Sequence, residues 1–174
     1  IEKIIRGDSI NDERCYLAGQ KPRNKLIHEQ PNSAIKTACN YKYIKSIWRE
    51  FDWYIEGGEY YIGVQTKRGC PHNCCFCVYT VVEGKKVRVN PIDEVIKEMK
   101  QLYALGVRGF WFTDAQFIPA KKHIEDAKTL LQAIKDQGWD DINWAAYIRA
   151  DNIDAELAQL MVDTGMSYFE IGIT

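Results

Sequence analysis

From Gly58 onward one pattern of apolar residues is written three times over, and it restricts the chain to a narrow set of folds. Tyr60 to Thr66 (YYIGVQT) is a β-rich apolar run, followed by a loop of Gly, Pro and Cys, after which Asn90-Pro91 supplies an N-cap and a first-turn proline. Ile92, Val95, Ile96, Met99, Leu102 and Tyr103 then recur at helical spacing, with Gly106 where a left-handed C-cap residue is wanted. Phe110 to Thr113 reads as a buried strand. In the second round Ile124, Ala127, Leu130, Leu131 and Ile134 form a helical face, Gly138 ends it, and Ile142 to Ile148 makes a strand. In the third, Leu157, Leu160 and Met161 lie on a helix stopped near Gly165, and Tyr168 to Ile173 forms a fourth strand. Strand, helix and strand alternating at about 30 residues mark right-handed βαβ units and a parallel sheet. The class is α/β, as a barrel or as an open doubly wound sheet, and the helical stripes are core.

Residues 1–58 have irregular polarity, with an Arg6-Gly7-Asp8 turn, Pro22, Pro31-Asn32-Ser33 and an aromatic patch from Tyr41 to Tyr54. Ile4-Ile5 is placed at the end of a strand and a short helix within Ile35 to Trp53. The segment reads as a linker packed onto the next domain through Trp48, Phe51, Trp53 and Tyr54. The expected division is therefore 1–58 and 59–174. The 23 basic residues nearly cancel the 24 acidic ones, so no broad positive field exists to gather nucleic acid or acidic membrane. No apolar stretch approaches the roughly 20 residues of a membrane helix. Ile1 opens a charged segment with no signal-peptide core, so the expectation is a soluble, cytoplasmic chain that starts in mid-protein.

Four of the six cysteines, Cys70, Cys74, Cys75 and Cys77, are crowded into the loop Gly69-Cys70-Pro71-His72-Asn73-Cys74-Cys75-Phe76-Cys77. Thiols so close cannot each find a partner in disulfide geometry, and the crowding fits metal ligation in a reducing compartment. Thiolates suit zinc and iron-sulfur alike. Structural zinc normally takes four ligands in two pairs from separate segments, and no second pair follows here, although His72 or Cys75 would complete a zinc site. Three thiolates on a four-iron cluster leave one iron open for a substrate. Cys15 and Cys39 read as small buried hydrophobes.

The Cys-x3-Cys-x2-Cys pattern, with Phe76 before its last cysteine and directly after the first strand of a βα series, resembles the radical S-adenosylmethionine superfamily. The resemblance covers about residues 59–174. It is nearest to enzymes with an upstream cobalamin domain, through Thr66-Lys67-Arg68-Gly69-Cys70-Pro71, Val87-Arg88-Val89-Asn90-Pro91 and Phe112-Thr113-Asp114-Ala115-Gln116-Phe117. Ile4-Ile5-Arg6-Gly7-Asp8 looks like the last strand and turn of such a domain. The resemblance implies a partial parallel (β/α) barrel of about four strands preceded by a linker. It implies a 4Fe-4S cluster on Cys70, Cys74 and Cys77, with Cys75 not ligating. One electron from the cluster would cleave S-adenosylmethionine to a 5'-deoxyadenosyl radical that abstracts hydrogen or assists cobalamin-dependent methyl transfer. Cobalamin would enter through the upstream domain, and the electron through a donor such as flavodoxin or ferredoxin.

Ligands of parallel βα folds sit at the carboxyl ends of the strands. Phe76 and Asp114 are expected against the cofactor, Asp114 standing where relatives bind its amino group, with a helix cap as the alternative. Arg149 is expected to pair with the cofactor carboxylate, or with Glu170 or Asp151. Glu170 is expected inside a polar barrel interior, as a cofactor contact or as half of that ion pair. The rivals are a methylthio-transferring relative and a non-enzymatic zinc-binding module. A longer enzyme, with a cobalamin domain before Ile1 and further βα units after Thr174, is the expected setting. No residue identifies the substrate.

Overall fold

A computed structural model of the chain describes residues 3–4, 16–17 and 60–171. The short helix expected within Ile35 to Trp53, the aromatic patch, Cys15 and Cys39 lie outside the described residues. Strand β1 (Lys3–Ile4) pairs antiparallel with β2 (Tyr16–Leu17). The main body has β3 (Ile62–Val64), β4 (Lys67–Arg68), the short helix α1 (Tyr79–Val82), β5 (Arg88–Val89) and α2 (Ile92–Ala104). It continues through β6 (Gly109–Phe112), α3 (Ile124–Lys135), β7 (Asn143–Ile148), α4 (Ala155–Asp163) and β8 (Met166–Ile171).

Four strands form one parallel sheet in the order β3-β6-β7-β8, each joined to the next by a helical crossover, so the α/β class holds. The helices form where the apolar period places them. Val95, Ile96, Met99 and Leu102 of α2 are buried, as are Ala127, Leu130, Leu131 and Ile134 of α3 and Leu157 and Met161 of α4. They pack on Val64, Phe110, Phe112, Trp144, Ala146 and Ile148, the alternate residues that the pleat turns toward them. Gly106, Gly138 and Gly165 end the three helices at positive φ, as expected. At Gly165 nothing larger fits, because a Cβ would stand 2.3 Å from the carbonyl oxygen of Ile142.

Asn90 departs from its expected role as helix cap. The helix starts at Ile92 with Pro91 as N-cap and no side-chain capping bond. Asn90 instead donates through Nδ2 to Gln65 O at 2.7 Å and through its backbone N–H to Thr66 O at 2.9 Å. It ties the chain entering α2 to the chain leaving β3.

Among the described residues no helix covers the opposite face of the sheet. Register aligns Gly63, Trp111, Ala145 and Tyr168 across four strands, and Tyr147 beside Glu170. The small residues flanking Trp111 leave room for aromatic rings around it. Tyr61 and Tyr147 meet it edge to face at 6.3 and 5.3 Å, and Tyr168 lies tilted at 6.1 Å.

Candidate metal and cofactor site

The cysteine loop leaves the sheet at the carboxyl end of β3. It stands on a two-stranded ribbon in which Lys67 and Arg68 pair with Val89 and Arg88. Above this base the backbone of Cys70 donates to Gly84 O at 3.1 Å, and Cys77 N–H donates to Cys74 O at 3.1 Å. The ring Nε2 of His72 donates to Pro119 O at 2.8 Å, anchoring the loop to the segment that follows β6.

Cys70 is buried, Cys77 is half-buried, and Cys74 and Cys75 are exposed. Burial pushes the Cys70 thiol up, a backbone hydrogen bond at His72 pulls it down, Cys77 and Cys74 push it further up, and Arg149 pulls it down. The Cys70 thiol thus feels the charges of Cys77, Cys74 and Arg149. Among the described residues no three His, Cys, Asp or Glu side chains converge on a point suited to one metal ion. A four-iron cluster asks for something else, one thiolate on each of three separate irons, and a loop bearing three spaced soft donors fits it.

Arg149 follows β7, the third strand of the parallel sheet. Its Nε and Nη2 each donate to Asp151 at 3.0 Å, a two-point pair on the surface. Asp151 holds the guanidinium further above its ordinary value, and Arg149 holds the Asp151 carboxyl below its own. Of the partners expected for Arg149 within the chain, Asp151 is therefore the one present and Glu170 is not.

Glu170 lies on the edge strand of the described sheet. It is exposed, with the Tyr168 hydroxyl 3.5 Å away, because no described strand covers β8. Asp114 does not take the alternative role of a helix cap. It is 0% exposed. Its Oδ1 accepts from the N–H groups of Thr66 and Lys67 at 2.8 and 3.0 Å, and its Oδ2 accepts from the Thr66 hydroxyl and from Lys67 Nζ, the latter at 2.9 Å. Lys67, 2% exposed, also stands 4.6 Å over the Phe117 ring. The carboxylate thus joins the ends of β3 and β6 beneath the cysteine loop, saturated by donors of the chain itself. Phe76 is 72% exposed at the loop's outer side.

Glu83 was not legible as a site residue. It follows α1, and its Oε2 accepts the Gly69 N–H at 3.1 Å while its Oε1 accepts from Gln65 Nε2 at 3.3 Å. A lone glutamate before a Gly-Lys-Lys turn carries no sequence signal for such a bond.

Comparison with known proteins agrees with this geometry. The chain is 30% identical over 154 residues to the uncharacterized methyltransferase PH0819 of Pyrococcus horikoshii, covering 88% of this chain and 33% of that protein. It is 33% identical over 107 residues to the ribosomal protein uS12 methylthiotransferase RimO of Lawsonia intracellularis, covering 62% of this chain and 22% of that one. Among solved structures it resembles the radical S-adenosylmethionine methyltransferase TsrM of Kitasatospora setae, solved with cobalamin and a [4Fe-4S] cluster bound. The TM-score is 0.59 at 26% identity, over 64% of this chain and 20% of TsrM. The same enzyme has been solved with tryptophan substrate and a SAM analog, aza-SAM. The chain spans about a third of PH0819 and about a fifth of TsrM. The sequence model of the Radical SAM superfamily matches residues 64–174, from the end of β3 through the cysteine loop and all three helical crossovers, and the chain belongs to that superfamily.

Proposed function

We propose that this chain carries the cluster-binding part of a radical SAM methyl-transferring enzyme, with Cys70, Cys74 and Cys77 holding a 4Fe-4S cluster and cobalamin as a second cofactor of the whole protein. The observation that carries the reading is the loop bearing these three thiols after the first strand of the parallel sheet, inside the stretch that the Radical SAM superfamily model matches. When bound, the cluster and S-adenosylmethionine supply the one-electron chemistry; the protein's own part is placement and exclusion of water. Arg149 is the chain's candidate for a carboxylate of the cofactor, exchanging its surface bond to Asp151 for the ligand. Phe76 offers an apolar ring on the loop itself. Asp114 and Lys67 hold the strand ends on which the loop stands.

TsrM, bound to cobalamin and cluster in its own structure, and the methyltransferase relative support methyl transfer. Methylthio transfer is the second reading, favoured by the RimO relative. We place the protein in the cytoplasm, where free thiols stay reduced, with a flavodoxin or ferredoxin as electron donor. No helix among the described residues is long and apolar enough to cross a membrane.

The test is spectroscopic. Reduced, anaerobically reconstituted protein should show an electron paramagnetic resonance signal that changes when S-adenosylmethionine is added, because one iron lacks a protein ligand. An unchanged signal at saturating S-adenosylmethionine would assign a plain electron-transfer cluster instead.

A further inference from the structure

We propose that Glu83 is a positioning residue for the cluster, the latch that closes the cysteine loop and sets where Cys70 presents its sulfur. The inference rests on the reading of Cys70, Cys74 and Cys77 as cluster ligands. The loop departs at Gly69 and returns at Gly84, and its feet are tied by the Glu83 carboxylate on Gly69 N–H and by Gly84 O on Cys70 N–H, both at 3.1 Å. The second carboxylate oxygen takes Gln65 Nε2 at 3.3 Å, and Gln65 Oε1 accepts from Arg68 Nε at 2.5 Å. Arg88, 7% exposed, donates to the carbonyl oxygens of Glu83 and Lys86 at 3.1 and 3.3 Å. Backbone and side chain of Glu83 are therefore both fixed.

Gly69 explains why a side chain must do this. It runs at φ +90, and a Cβ there would stand 2.2 Å from Lys86 O, so the returning chain passes too close for any residue but glycine. A glycine is also the residue with most freedom to turn its peptide plane. Its N–H is held only by Glu83 in the bonds described at this foot, and the bond is charge-assisted. Release of that bond frees the Arg68–Gly69 peptide, one peptide ahead of the first ligand, whose own N–H stays on Gly84 O. Cys74 and Cys77 are joined to each other by their own hydrogen bond and stand further along the loop. The effect of losing Glu83 therefore falls on Cys70. Glu83 is half-buried and outside the apolar core, so the latch and the fold are separable.

The test compares the wild-type chain with Glu83→Ala and with Glu83→Gln, which keeps an acceptor for Gly69. In the metal-free full chain, iodoacetamide labelling is read cysteine by cysteine, beside the thermal midpoint. Glu83→Ala should label Cys70 about tenfold faster or more, the scale of one lost charge-assisted hydrogen bond, with Cys74, Cys77 and the midpoint unchanged. Glu83→Gln should stay within about twofold of wild type. In the reconstituted protein Glu83→Ala should lose iron to a chelator faster and broaden the resonance of the reduced cluster, and Glu83→Gln should restore both. Wild-type labelling and iron release in Glu83→Ala would overturn the latch. So would faster labelling of all three cysteines with a lowered midpoint, which would make Glu83 a general stabiliser. A wild-type chain that takes up no iron and sulfide, yet whose Cys70 is shielded by Glu83 as described, would overturn the cluster assignment rather than the latch.

Discussion

Behind the sheet Phe110, Phe112, Trp144 and Leu131 are completely buried, whereas in and after the cysteine loop Phe76, Val78, Val81 and Val82 stand between 61% and 72% exposed. The two regions are apolar alike in sequence. They differ in what holds them: the βα units are fixed by burial of side chains, and the loop by hydrogen bonds and charges at its feet. Apolar burial is non-directional and tolerates small shifts, whereas a hydrogen bond is lost within a fraction of an ångström. A fold that must present three thiolates in fixed positions gains from the second kind of support. Stability and ligand placement reside in separate sets of residues here, and substitutions should separate them.

The largest effect should come from the buried region. Trp144 is 0% exposed, packs on Phe112 and Phe117 at 5.0 and 5.3 Å, and donates through Nε1 to Thr164 Oγ1 at 3.1 Å. Trp144→Ala should cost about 3–5 kcal/mol in denaturant unfolding. A loss under about 1 kcal/mol would mean the core is not packed as described.

Asp114 lies where the regions meet, and its effect should be only slightly smaller. Asp114→Ala leaves the Lys67 ammonium buried without its partner and should cost about 3 kcal/mol, measured in the same way. The paired change Lys67→Met with Asp114→Leu should recover the part of that loss due to the unpaired ammonium but not the part due to the Thr66 and Lys67 N–H groups, which still lack an acceptor. For the same reason it should not recover cluster uptake. Recovery of stability and cluster uptake together would erase the distinction between the regions.

That buried pair also shows where sequence reading stops. The helices, the parallel order and the terminating glycines were legible because periodicity and positive φ are local properties. The cysteine motif was legible because its spacing lies within one loop. Asp114 was read as a site residue from its place after a strand, but its partners Thr66 and Lys67 lie 48 and 47 positions away and only the β3–β6 pairing brings them together. Glu170 was expected inside because strand alternation gives a face and not whether anything covers it. Asn90 looked like a cap by residue type, and its preference for Gln65 O is a long-range choice.

A smaller effect should appear at the α3–α4 contact on the helical side. The Leu157 N–H and Lys128 hold the Asp154 carboxyl below its ordinary value of 3.8, and Lys135 does the same for Asp163. The folded values lie below the unfolded ones, so this contribution is fully present above pH 3.8 and is lost as the pH falls through the depressed values. The thermal midpoint should decline modestly between about pH 4 and pH 2, and Asp154→Asn should flatten part of that decline. An identical decline in Asp154→Asn would remove these carboxylates from the account.

The most direct test of the central claim is the iron and sulfide content of the cysteine series after anaerobic reconstitution. Wild type and Cys75→Ala should bind about four irons and four sulfides per chain, and Cys70→Ala, Cys74→Ala and Cys77→Ala should each lose the cluster. One tightly held zinc with no sulfide in the wild type, or loss of the cluster in Cys75→Ala alone, would contradict the assignment.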